Sequence, residues 1–315
     1  MRRGRLAEPR PRPGCKESVD IRRRLSIAAV VLLLAACSHG PAADGPPPTP
    51  RASASVSPVG ARSPATSLSG RIVFDNFRDI WSINADGTDL TRLTRSPEPD
   101  FDATWSPDGA LLAFRSERSG DPEIWLMNAD GSGQRRLARG LSPAWSPDGS
   151  MIAYADDHGG LSIMNSDGSD QHQLPHTDGG EYPSWSPDGR RIVFNSNLSG
   201  DHLMYIVDVN RSRVVDLSKV GEGWQVDWSP DGRSILFTSH RDHPDNYTDV
   251  YLMRSDGSHV RRLTNQRAYT PAWSPDGTHI VFSAPGLFVM RLDGSHITPL
   301  PVEGLGETAL PDWSG

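Results

Sequence analysis

His240-Arg241-Asp242-His243-Pro244-Asp245 sets two histidines three residues apart beside two aspartates. Imidazole and carboxylate donors at such spacing suit a divalent metal. Short clusters of this kind are more often solvated loops, so His240, Asp242 and His243 stand as weak metal candidates, and no cofactor is expected. Catalysis by a serine hydrolase would need a Gly-x-Ser-x-Gly elbow; that pattern, CxxC, HExxH and the Walker loop are all absent. The chemistry that remains is recognition. Phe101, Leu141, Glu181, Trp224, Tyr269 and Ala309 each stand four residues before a recurring tryptophan, and Asp102, Tyr182 and Gln225 follow three of them. Three of those six are aromatic and one is acidic. Around a concave mouth such residues suit peptide or sugar binding. The plainer alternative, that they only plug a channel, stays open.

The recurring tryptophan defines the elements that must hold these residues. Trp-Ser-Pro-Asp-Gly starts at Trp105, Trp145, Trp185, Trp228 and Trp273, and Trp313-Ser314-Gly315 repeats its beginning; the steps are 40, 40, 43, 45 and 40 residues. A period near 40 fits one four-stranded sheet with its turns, a propeller blade. Within each copy Pro presets φ, Asp bonds backbone groups ahead of it, and Gly takes the left-handed position. Apolar β-rich runs follow, such as Leu111-Leu112-Ala113-Phe114 and Ile280-Val281-Phe282. A second Asp-Gly turn recurs at Asp86, Asp130, Asp167, Asp256 and Asp293, while the fourth unit has Asn210-Arg211-Ser212 instead. The first unit, Arg71 to Leu93, lacks an opening Trp-Ser strand, and Leu310 to Ser314 is such a strand alone. The two halves predict an all-β, six-bladed propeller of four-stranded antiparallel blades, closed when the C-terminal strand completes the first blade. Closure removes an exposed sheet edge. The repeated tryptophans are expected in the core between blades. The Asp-Gly turns are expected on one face, and the variable loops on the other, where Phe101 and its equivalents would ring the channel mouth.

Trp-Ser-Pro-Asp-Gly-x-x-Ile-Ala-Phe, followed by Asn-x-Asp-Gly-Ser-x-x-x-Arg-Leu-Thr, resembles the TolB-type propeller repeat, most fully from Trp105 to Leu137. The resemblance covers residues 70–315. It implies fold more than function, since related propellers serve as periplasmic scaffolds, as non-catalytic halves of peptidases and as lyases. No α/β domain precedes the propeller here, unlike TolB itself.

Residues 1–36 read as a signal peptide, with the start codon open because Val19 stands better before its charged region. Arg22-Arg23-Arg24 precedes an apolar run from Leu25 to Ala36, too short to span a bilayer comfortably. Leu34-Ala35-Ala36-Cys37 resembles the bacterial lipobox, which implies a diacylated Cys37 and stable membrane attachment. From Cys37 to residue 69 the chain is rich in Pro, Ala and Ser, and its seven prolines lie beyond Ser38. Such a stretch reads as a disordered tether with ends roughly 30 Å apart.

The whole chain carries −7 and residues 1–69 carry +7, so the propeller carries −14. That balance and the absence of a basic face exclude nucleic acid as an expected partner. The chain reads as a monomeric, extracytoplasmic, membrane-anchored propeller, not an enzyme, that binds a protein or peptide of the cell envelope. A polysaccharide lyase or hydrolase, or a sugar-binding module, using channel-mouth residues is the alternative.

Overall fold

Each Trp-Ser-Pro-Asp-Gly motif folds as a self-contained turn. The structure is a computed structural model that describes residues 68–315, apart from 200, 244 and 246. The expected signal peptide, the expected lipidation site Cys37 and nearly all of the expected tether lie outside the described residues. In the first full copy, Ser106 Oγ donates to Asp108 Oδ1 at 2.6 Å and accepts from Leu111 N at 2.9 Å, while Asp108 Oδ1 also accepts from Ala110 N. The Ser–Asp bond recurs at Ser146–Asp148, Ser186–Asp188, Ser229–Asp231 and Ser274–Asp276. It holds these exposed carboxylates below their ordinary pKa. The second turns close similarly: Asp130 accepts from Ser132 N at 2.9 Å. In the fourth blade, where Asp-Gly is missing, Asp208 takes over and caps Asn210 N and Arg211 N.

Between these turns run six four-stranded antiparallel sheets arranged as a ring, an all-β six-bladed propeller. Blade 2 is typical: Asp100–Trp105, Leu111–Ser116, Glu123–Asn128 and Arg135–Arg139, from axis to rim. The inner strands of the next four blades are Leu141–Trp145, Gly180–Trp185, Trp224–Trp228 and Tyr269–Trp273. Blade 1 is composite. Its inner strand is Ala309–Ser314, and its other three are Arg71–Asp75, Ile80–Asn84 and Thr91–Arg92. Arg71 pairs with Ser314, Ile72 with Trp313 and Val73 with Asp312. Trp313 Nε1 donates to Ser69 O at 3.0 Å. Backbone approaches so closely here that a Cβ on Gly70 (φ 91°) would collide with the Ser314 carbonyl oxygen.

The core lies between blades. Trp105 packs with Val73 and Ile80 of blade 1, Trp145 with Ala113 and Ile124 of blade 2, and Trp313 with Val281 and Val289 of blade 6. The six recurring tryptophans are buried, as are Phe74, Phe114, Tyr154, Phe194, Phe237 and Phe282 on the second strands. Outer strands are tied by buried acids to partly exposed arginines 13 residues on: Asp79–Arg92 at 2.7 Å, Glu123–Arg136 at 2.5 Å and Asp249–Arg262 at 2.6 Å.

Because blade 1 depends on a strand from the far end of the chain, deleting residues 309–315 should abolish cooperative melting of the propeller. Trp313→Ala alone should cost about 3–5 kcal/mol in denaturant unfolding. A deletion variant with the wild-type melting curve would contradict the closure.

Candidate functional site

Every inner strand carries the same defect. In blade 2, Phe101 pairs with Arg115 and Thr104 with Ala113, so Asp102 and Ala103 together face the single residue Phe114. This is a β-bulge, an extra residue that bends the strand and re-aims side chains. Register shifts at the same place in the other five inner strands. The first bulge residue is left-handed each time: Asp102 (φ 52°), Ser142 (52°), Tyr182 (50°), Gln225 (52°), Thr270 (46°) and Leu310 (48°). None is glycine, and β-branched or bulky side chains seldom adopt this conformation. The second bulge residue is proline in four blades, Pro143, Pro183, Pro271 and Pro311, where no ladder N–H is required.

The bulges border an axial cavity of about 380 Å³. Asp102, Tyr182 and Gln225 line it, with Ser142, Thr270 and Leu310 at the same level. One layer further along the strands lie Thr104, Ser184, Asp227 and Asp312, and beyond them the cavity reaches Pro107, Pro147, Pro275 and Gly315 at the Pro-Asp-Gly end. The expectation placed the ring at Phe101, Leu141, Glu181, Trp224, Tyr269 and Ala309. These six do not border the cavity, whereas Asp102, Tyr182 and Gln225, expected beside them, do; the extra bulge residue moves the lining one position along each strand. Phe101 is buried under the Arg115 guanidinium, 5.1 Å from its ring centroid. Glu181 accepts from Asn197 Nδ2 at 3.1 Å. Trp224 lies against two imidazoles, His202 at 5.4 Å and His240 at 5.0 Å between ring centroids. Leu141 and Tyr269 are half-buried, and Ala309 is buried.

The axial polar groups bracket neighbouring blades. Asp312 Oδ2 accepts from Trp105 N at 2.7 Å and Thr104 Oγ1 at 3.0 Å. Asp227 accepts from Ser184 Oγ at 3.0 Å on one side and Trp273 N at 2.9 Å on the other. Ser184 Oγ itself accepts from Trp228 N. At the bulge level, Gln225 Oε1 accepts from Thr270 N, and Thr270 Oγ1 accepts from Leu310 N, both at 3.2 Å. Asp102 accepts from Ser142 Oγ at 3.3 Å. Burial, the largest influence, raises the carboxyls of Asp102, Asp312 and Glu181, and raises Asp227 to about 7, with the Asp312 charge adding to it. Among the described residues bordering the cavity none is Lys, Arg or His.

The loop of histidines separates into different pairings. His240 Nε2 meets Glu222 at 2.8 Å, His243 Nε2 meets Asp249 at 2.5 Å, and Asp242 accepts from Tyr251 Oη at 2.7 Å. Among the described residues no group of three His, Cys, Asp or Glu side chains is gathered as for a metal. Sequence reasoning passed over Asp227 and Asp312. Comparing the residue before each tryptophan (Thr104, Ala144, Ser184, Asp227, Ala272 and Asp312) would have marked this column as polar where a core strand should be apolar.

The TolB β-propeller domain family matches this chain over residues 60–224 and 141–288. The Tol-Pal system protein TolB of Syntrophus aciditrophicus (strain SB) is 42% identical over 52 residues, which is 16% of this chain and 12% of that relative's length. TolB from Acinetobacter baumannii superposes with a TM-score of 0.70 at 22% identity, over 79% of this chain and 67% of that one. Putative TolB from Agrobacterium tumefaciens gives 0.63 at 23% identity, over 74% and 89%. At these identities the structural likeness shows the fold.

Asp227 supplies a pH prediction. Its folded pKa lies above the unfolded value of 3.8, so the folded state holds the proton more tightly. Stability from this group is complete below about pH 4 and is lost as pH rises through about 7. The melting temperature of Asp227→Asn, relative to wild type, should therefore climb between pH 5 and pH 8, by the equivalent of about 2–3 kcal/mol. A difference that stays constant over that range would contradict the protonated, buried carboxyl.

Proposed function

The chain belongs to the TolB β-propeller family, and from that premise we propose that it is an extracytoplasmic, lipid-anchored module that binds a protein or peptide partner in the cell envelope. The observation that carries this reading is the axial architecture: a concave cavity bracketed by inter-blade hydrogen bonds, with Tyr182 and Gln225 in its lining, and half-buried Trp224 and Tyr269 each one residue outside that lining on the variable-face side. Aromatic groups on a stiff scaffold bind with little loss of side-chain freedom. The likeness to a Tol-Pal system protein supports an envelope setting. The basic-then-apolar run ending at Cys37 supports export and acylation.

A binding role without catalysis accords with the use made of the axial acids. Asp102, Asp227 and Asp312 each already accept hydrogen bonds from another blade. A general acid–base pair would need such groups directed at a substrate. The sugar-binding alternative draws less support, because His202 and His240 lie against the Trp224 ring that would stack on a pyranose.

Two experiments test the reading separately. In a bacterial host, labelled palmitate should enter the wild type and not Cys37→Ser; equal labelling of both would remove the anchor. A photo-crosslinking residue at Tyr269 should capture an envelope protein in intact cells, whereas one at Ser150, in a Pro-Asp-Gly turn, should not. Capture from Ser150 and none from Tyr269 would place the contact on the other face and overturn the variable-face assignment.

A further inference from the structure

Two carboxyl groups, buried Asp75 and half-buried Asp102, lie together at the seam between blades 1 and 2. Asp75 ends the strand Arg71–Asp75, pairs with Ala309 of the closing strand and is completely buried. One of its oxygens accepts from Phe77 N at 3.1 Å, and the other accepts from Asp102 N at 3.4 Å. Asp102 is the left-handed bulge residue of blade 2, and its own carboxyl accepts from Ser142 Oγ of blade 3. Two acids thus link three consecutive blades. Asp75 occupies the place held by Ala155, Asn195, Thr238 and Ser283 on the second strands of blades 3 to 6. Those four are uncharged, so the acid is not a requirement of the repeat.

The charged and titratable groups around the pair come from three blades. Arg115, on the second strand of blade 2, faces both Asp75 and Asp102 and also engages Glu117. Glu181 and Tyr182 come from blade 4 and feel the Asp102 charge. Asp79 and Asp100 lie nearby along the chain but are held by Arg92 and Arg118. The Arg115 guanidinium, already engaged with Glu117, cannot fully offset two further ionised carboxylates crowded into one seam. Burial first, and the Asp102 charge second, push Asp75 up to about 8.

We infer that Asp75 and Asp102 hold a single proton between them at neutral pH, and that losing this proton loosens the blade 1–blade 2 seam together with the loop that follows Asp75. With the proton present, the pair carries one negative charge opposite Arg115, and the N–H bonds from Phe77 and Asp102 close the seam. Without it, two like charges meet, and relief comes from admitting water, which exposes those two amides. The loop is also tied to the far side of the closure, where Asn76 Nδ2 donates to Leu305 O at 3.3 Å. Loosening would therefore reach the variable-face loops on both sides of the closing strand. Interacting carboxyls of this kind titrate as a pair rather than singly. The device stands independently of the proposed partner.

Hydrogen exchange on the full chain reads it directly. After correction for intrinsic rates, protection of the Phe77 and Asp102 amides should fall by about tenfold or more between pH 6 and pH 9.5, on the scale of one pKa unit. In Asp75→Asn no second charge can form in the seam, so protection should stay flat over that range. Asp102→Asn should flatten it as well. A protonated-carboxyl infrared band present in the wild type at pH 7 and missing from Asp75→Asn should fade with the same midpoint as the loss of protection. Unchanged wild-type protection across the range, the same fall in Asp75→Asn, or the same band at pH 7 in wild type and Asp75→Asn would each overturn the inference.

Discussion

The antiparallel pairing of Ala309–Ser314 with Arg71–Asp75 is the constraint on which the rest of the ring depends. Sheets within a propeller do not share backbone ladders across blades, so each blade is stable only when both its faces are covered. Five seams form between consecutive stretches of chain. The sixth, between blades 6 and 1, needs Trp313 from the C-terminal strand to pack on Val281 and Val289 while that strand pairs with Arg71–Asp75. Pairing over such a sequence separation carries a loop-closure entropy that grows only slowly with length. The hydrophobic cluster it completes is large enough to offset that cost.

Once the ring is closed, the inner strands converge on the axis and must solve a polar problem. A bulge in each strand leaves a backbone N–H that the regular ladder no longer serves. A neighbouring blade's side chain often serves it: Gln225 for Thr270, Thr270 for Leu310, Asp75 for Asp102. The tryptophan N–H is treated the same way, by Asp312, Ser184 and Asp227. Acids at the axis are thus part of the frame, and their raised pKa values are the consequence of using charged groups as brackets in a dry place. The same brackets keep the cavity wall stiff.

Much of this was legible in the residues. Five full copies of Trp-Ser-Pro-Asp-Gly specified the turns because Ser, Pro, Asp and Gly each have a local task there, and the Ser106–Asp108 bond shows that task completed. Blade count and closure followed from the unpaired strand at Leu310–Ser314. The axial lining was less legible. Counting four residues back from each tryptophan placed Phe101 and its equivalents at the mouth, with Asp102, Tyr182 and Gln225 beside them; the bulge adds a residue that this count does not reveal, and of these only Asp102, Tyr182 and Gln225 line the cavity. Pro143, Pro183, Pro271 and Pro311 were the available signal, since proline inside a strand marks either an edge or a bulge. The histidine loop looked like one donor set in sequence, yet a loop of that length lets His240 and His243 turn to different partners, Glu222 and Asp249.

Closure can be measured with a single engineered pair. Arg71 and Ser314 lie directly opposite each other on paired strands, and Ser314 Oγ donates to Arg71 O. Directly opposed strand residues bring Cβ atoms to about 4.5–5.5 Å, near enough for a disulfide after small adjustment. With Cys15 and Cys37 replaced by serine, Arg71→Cys combined with Ser314→Cys should oxidise within one chain, migrate faster without reductant and melt at a higher temperature. Thiols that stay reduced, or that link only between chains, would show that the tail does not zip onto the head.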